Sequence, residues 1–85
     1  MAVITLHQFN TLRDKDKLTM IQEHGVVIAH RFTGKFHVYL HQLFSFYVEL
    51  HYRLRKTDVV EIRAFSSTDM LEPYLKNIKL DDLNM

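Results

Sequence analysis

Eight side chains of kinds that bind or react recur at a spacing of two along the middle of the chain: Tyr39, His41, Tyr47, Glu49, His51, Arg53, Glu61 and Arg63. On strands, a period of two puts such residues on one side of a sheet. Imidazole beside carboxylate is the chemistry of proton transfer and of divalent metals. Tyr and Arg are enriched at the cores of protein interfaces, and aromatic rings with Arg can stack on bases. The plain alternative is a solvated sheet face in which cross-strand pairs each contribute roughly 0.2–1 kcal/mol.

Metal, catalysis and nucleic acid fare poorly on closer reading. His41, Glu49 and His51 could converge across two strands, but His37 and His41 stand about 13 Å apart along one strand, too far for one ion. The chain has no cysteine and two glycines, which excludes thiolate metal sites and glycine-rich phosphate loops. Ser66 and Ser67 fall where a helix start would use them as caps. A flat face also lacks the enclosed pocket that catalysis needs. No enzyme activity, metal or cofactor is expected. The charge balance is 11 basic against 10 acidic residues, and Glu49 and Glu61 interrupt the face, so nucleic acid is not an expected partner either. A protein partner or a second copy of the chain, held by Tyr39, His41, Tyr47, Glu49, His51, Arg53 and Arg63 or by an edge strand, is the favoured reading. Nucleic acid or a small ligand on the same residues is the runner-up. Six histidines would add up to six charges below a pH of about 6.5, so any association could respond to pH.

The elements that must position these residues can be read from periodicity. Thr5 and Gln8 have capping-box spacing, and Leu6, Phe9, Leu12, Leu18 and Ile21 recur at multiples of three around the charge run Arg13–Lys17. This predicts one helix, with the run as a solvated turn, ending at Gly25 in the left-handed conformation. From Val26 the period becomes two. Four strands follow, near Val26–Phe32, Lys35–Leu43, Phe46–Leu54 and Val59–Phe65. Thr33-Gly34 suggests a three-residue loop with Gly34 left-handed, and Arg55–Asp58 a polar turn. Ser66 and Asp69 repeat the capping-box spacing ahead of Met70, Leu71, Tyr74, Leu75 and Ile78, a second helix with Pro73 kinking or restarting it. Leu80–Met85 reads as a tail.

Short connections make the sheet an antiparallel meander. The expected fold is therefore α+β, a four-stranded meander with the N-terminal and C-terminal helices packed on one face. Parity fixes an expected register. If Leu40 and Leu50 both face the core, paired positions sum to an even number, and a loop centred on Ser45 follows. Tyr39 then lies opposite His51, His41 opposite Glu49 and His37 opposite Arg53, all outside. At the last hairpin Tyr52 lies opposite Ile62 inside, with Arg53 opposite Glu61 and His51 opposite Arg63 outside.

Eighty-five residues with ordinary apolar and charged content make one small globular domain, 1–85. The residues Met1–Gln8 show no basic region and no sustained apolar stretch, so no signal peptide is expected. The apolar runs along the chain are short and interrupted by His, Glu or Arg, so no membrane partner is expected. The lack of cysteine fits a cytoplasmic location.

Two stretches, Gln42-Leu43-Phe44-Ser45-Phe46-Tyr47-Val48-Glu49 and Phe65–Leu75, complete the reading. With Gly25 before the first strand, the chain resembles small uncharacterised bacterial proteins that carry a QLxxFYVE hairpin and an FSSTxxLEPYL helix start. That resemblance implies no activity, substrate or cofactor. Physically, both motifs are accounted for by a tight hairpin and a capped helix containing proline.

Overall fold

A computed structural model describes residues 3–56 and 58–75. The elements run α1 (Leu6–Asn10), α2 (Asp14–His24), β1 (Val26–Thr33), β2 (Phe36–Leu43), β3 (Phe46–Arg53), β4 (Val59–Phe65), a 3₁₀ turn (Thr68–Leu71) and α3 (Glu72–Leu75). The strands form one antiparallel sheet in the order β1-β2-β3-β4. The α+β class and the meander agree with the alternating pattern of the sequence. Ile78 and the stretch 80–85 lie outside the described residues.

The predicted N-terminal helix is two helices. Residues spaced by three slip about 60° per step around a helix of 3.6 residues per turn. A continuous helix would spread Leu6, Phe9, Leu12, Leu18 and Ile21 around its whole circumference. The break at Thr11–Arg13 resets the phase, and both Phe9 and Ile21 reach the sheet. The capping box is present: Thr5 Oγ1 accepts from the Gln8 amide at 3.1 Å, and Gln8 Oε1 accepts from the Thr5 amide at 2.9 Å. The charge run opens α2, with Asp14 and Asp16 in its first turn where the helix dipole favours them. Lys17 lies 5.7 Å over the Phe9 ring, so the run is not wholly solvated. Gly25 ends α2, but in extended backbone at φ −79° and ψ 150°. Glycine suits this position for a different reason: a Cβ would stand 2.6 Å from the Ile21 carbonyl oxygen.

The β2–β3 register differs from expectation and changes the meaning of the sheet. Leu43 pairs with Phe46, leaving a two-residue turn of Phe44 and Ser45, with Phe44 at φ 56°. Partner positions now sum to an odd number: Tyr39 lies opposite Leu50, Leu40 opposite Glu49 and His41 opposite Val48. Leu40 and Leu50 therefore face opposite ways. A left-handed aromatic residue costs about 1–2 kcal/mol. In that conformation Phe44 lies against the His24 and Phe46 rings, at 5.4 and 6.5 Å between centroids, beside the core. At β3–β4 the faces are as expected but partners slide by two. Leu50 meets Ile62, His51 meets Glu61 and Glu49 meets Arg63, with Val60 extra in a bulge. The first hairpin also turns on two residues, with Gly34 at φ 55°.

The helices divide between the faces of the sheet instead of sharing one. On the front face α1 and α2 bury Phe9 and Ile21 against Leu43, Phe46, Val48 and Leu50. On the back face Leu40 and Phe65 are buried under Tyr74 of α3, with Leu71 alongside. The register explains the division: Leu40 points backward, and a second apolar surface there needs its own cover. Ser67 caps the 3₁₀ turn, its Oγ accepting from the Asp69 amide at 3.2 Å. The helix restarts at Glu72-Pro73, close to the predicted position.

Candidate functional site

The seven predicted site residues do not share a face. Tyr39 and His41 lie on the front, while Tyr47, Glu49, His51 and Arg63 lie on the back and Arg53 ends β3. The expected pairs His41 with Glu49 and Tyr39 with His51 do not form, because the two-residue turn shifts the ladder by one place. His41 is thereby separated by the sheet from Glu49 and His51, so those three cannot surround one ion. Among the described residues no group of three or more His, Cys, Asp or Glu is placed to hold a metal.

On the back face the centre is Glu49, 2 % exposed. Its carboxylate accepts from Tyr74 Oη at 2.5 Å and from Arg31 Nη2 at 3.4 Å, and His51 Nε2 lies 3.2 Å from its other oxygen. A buried carboxylate is tolerable only when partners meet its lone pairs, and these three do so. The Arg31 guanidinium also lies 5.2 Å over the Tyr74 ring. Burial pushes the Tyr74 hydroxyl well above its usual range, and the Glu49 charge and hydrogen bond add to this while Arg31 opposes it. The phenol therefore stays a donor to Glu49 at ordinary pH. Tyr47 stacks on Phe65 at 5.7 Å. Arg63 does not reach Glu49; it pairs with Glu61 at 2.8 Å in solvent. The network clamps α3 to the sheet through the Tyr74–Glu49 hydrogen bond, and Arg31 and Glu49 also line a shallow opening beside Arg63 and Pro73. The network's two halves come from the two stretches singled out in the sequence, since Glu49 ends one and Tyr74 lies in the other.

The front face is different. Beyond the reach of α2 it carries an uncovered group of rings: Phe32 stacks on His37 at 4.1 Å, His37 lies 4.3 Å from Tyr39, and Tyr39 meets Tyr52 edge-on at 5.6 Å. His30 Nδ1 and His37 Nε2 are 3.0 Å apart, so one ring donates while the other accepts. His41, 8 % exposed, has its imidazole held neutral more readily than usual: burial lowers its pKa, and the Val48 and Tyr39 carbonyls oppose this. Its Nδ1 is buried with no hydrogen-bond partner. Alongside, residues 53–56 form one wall of an open groove of about 500 Å³.

A further feature is the edge strand. Val26, Val27, Ile28 and Phe32 of β1 are 61, 54, 47 and 64 % exposed. The meander order makes the first strand an edge with a neighbour on one side only, as the sequence implies; the exposure of its apolar residues is the new observation. Tyr52 and His37 come together on the front face because the observed register differs from the expected one, which put Tyr52 inside and His37 outside.

No helix among the described residues is long and apolar enough to cross a membrane. Comparison with protein-family models, with curated proteins and with solved structures finds no match.

Proposed function

We propose that the chain is a non-enzymatic interaction module that associates with a second copy of itself through the β1 edge. The observation that carries this reading is the exposure of Val26, Val27, Ile28 and Phe32 on an edge strand. An open apolar edge offers both backbone hydrogen bonds and side-chain burial to an added strand. The other edge contrasts with it: β4 carries Glu61 and Arg63, exposed and paired to each other, and a bulge at Val60. A second copy fits because an antiparallel strand can pair with itself across a twofold axis. A net charge of +1 also opposes the approach of two copies very little.

The resemblance to small uncharacterised bacterial proteins and a cytoplasmic location belong to this reading. The cysteine-free composition suits a reducing compartment. Sedimentation velocity of the wild type and of a Val26→Lys, Ile28→Lys double variant tests the proposal. Both positions are exposed, so the variant keeps the fold. A dimeric wild type and a monomeric variant are expected. A wild type that stays monomeric at high micromolar concentration, or a variant that stays dimeric, overturns it.

A further inference from the structure

The groove on the front face has the makings of a ligand site, and Val27 of β1 lines its rim. Its floor is made by His37, Tyr39 and His41 from β2 and Tyr52 from β3, and its wall by Arg53, Arg55 and Lys56. At about 500 Å³ it falls within the size range of small-molecule pockets.

Three observations say what chemistry it would take. First, its charge has one sign. Arg53, Arg55 and Lys56 line it, no carboxylate does, and none of the three makes an ion pair among the described residues. Three positive charges around one concavity, with no carboxylate to offset them, favour an anion there. Second, the floor is aromatic, with Tyr39 and Tyr52 edge-to-face at 5.6 Å and His37 against Tyr39 at 4.3 Å. Such a surface receives a planar ring. Third, the wall is held in place at a cost. Arg55 has φ 66°, a left-handed backbone that an L-residue adopts only against about 1–2 kcal/mol. The Lys56 amide donates to the Arg53 carbonyl at 3.1 Å, and the Leu54 amide ties the turn to the Lys35 carbonyl at 2.9 Å. Left-handed non-glycine residues gather at ligand clamps.

We infer that this groove binds a small ligand joining a planar ring to a phosphate, the chemistry of a mononucleotide, with Tyr39 and Tyr52 against the ring and Arg55 and Lys56 on the phosphate. The same pairing of ring and phosphate occurs in single-stranded nucleic acid. The positive charge is confined to the groove's own wall and does not continue along a track for a strand, which favours the free form.

Isothermal titration calorimetry of the full chain tests this with four probes: adenosine 5′-monophosphate, adenosine, inorganic phosphate and a twelve-nucleotide thymidine strand. The monophosphate should bind at least tenfold more tightly than adenosine or phosphate alone, and more weakly as salt rises. Arg55→Gly removes the charge while suiting the left-handed backbone, so the variant should fold at least as well as the wild type and lose tenfold or more in affinity. Tyr52→Leu should lose a similar factor, with thermal melting confirming that it is folded. No binding of the monophosphate overturns the inference, as does binding unchanged in a folded Arg55→Gly. Binding confined to the oligonucleotide also overturns it, since the ligand would then be a strand. Comparable binding of both supports it.

Discussion

Glu49 shows how far a residue's neighbours decide its meaning. In the sequence it alternates with Tyr47, His51 and Arg53 and reads as part of a wet surface. In the structure it is a buried acceptor held by Tyr74, Arg31 and His51. Tyr74→Phe removes the O–H donor without changing the packing of the ring. Hydrogen bonds to charged groups contribute about 1.5–3 kcal/mol, and urea denaturation should show a loss of that order. Glu49→Ala should cost more, about 3–5 kcal/mol, because Arg31 would be left beside an emptied, poorly hydrated site. Two pH effects follow from the same reasoning. The Tyr74 hydroxyl has a raised folded pKa against an ordinary value of 10.0. Its stabilising contribution is complete below pH 10 and is lost as the pH climbs toward the folded value, since the unfolded chain releases that proton first. Tyr74→Phe should flatten that part of the alkaline loss. His41 has a folded pKa below its ordinary 6.5. Its contribution is present above pH 6.5 and fades as the pH falls, because the unfolded chain takes up the proton more readily. Urea midpoints measured from pH 7.5 to 5 should fall less steeply in His41→Phe than in the wild type.

At the scale of elements, most of the fold was legible, and the losses have one physical source. Capping at Thr5, the end of α2 at Gly25, four strands in order and the restart at Pro73 all follow from local periodicity and turn chemistry. Register at the β2–β3 turn does not. It depended on whether Phe44 would accept a left-handed backbone, which a contact with His24, distant in sequence, makes worthwhile. One residue fewer in a loop reverses every side chain on the far strand. That single step moved Tyr39 and His41 to the other face and gave Leu40 a separate core. The assumption that one sheet face is dry and the other wet failed with it, since Glu49 and His51 are buried behind β3. Two glycine substitutions separate the local effects. Gly34→Ala meets open space but a φ of 55°, so it should cost about 1–2 kcal/mol in thermal or chemical unfolding. Gly25→Ala has an ordinary φ but a Cβ 2.6 Å from the Ile21 carbonyl. The resulting overpacking should cost about 1–3 kcal/mol and shift the end of α2.

For the whole molecule, the small chain builds two thin cores on opposite sides of one sheet. The front core is the larger, with Phe9, Ile21, Leu43, Phe46, Val48 and Leu50. The back core rests on Leu40, Phe65 and Tyr74. Each well-buried large side chain contributes roughly 1.5–3 kcal/mol, a total that the ordering of so short a chain nearly cancels. Association through β1 would cover the largest remaining apolar edge and add stability that depends on concentration. Amide hydrogen exchange, read residue by residue at low and high micromolar protein, tests this most directly. Outward-facing amides of β1 should become more protected as concentration rises, while those of β4 should not change. Protection of β1 that is independent of concentration, or a rise confined to β4, would contradict association through β1.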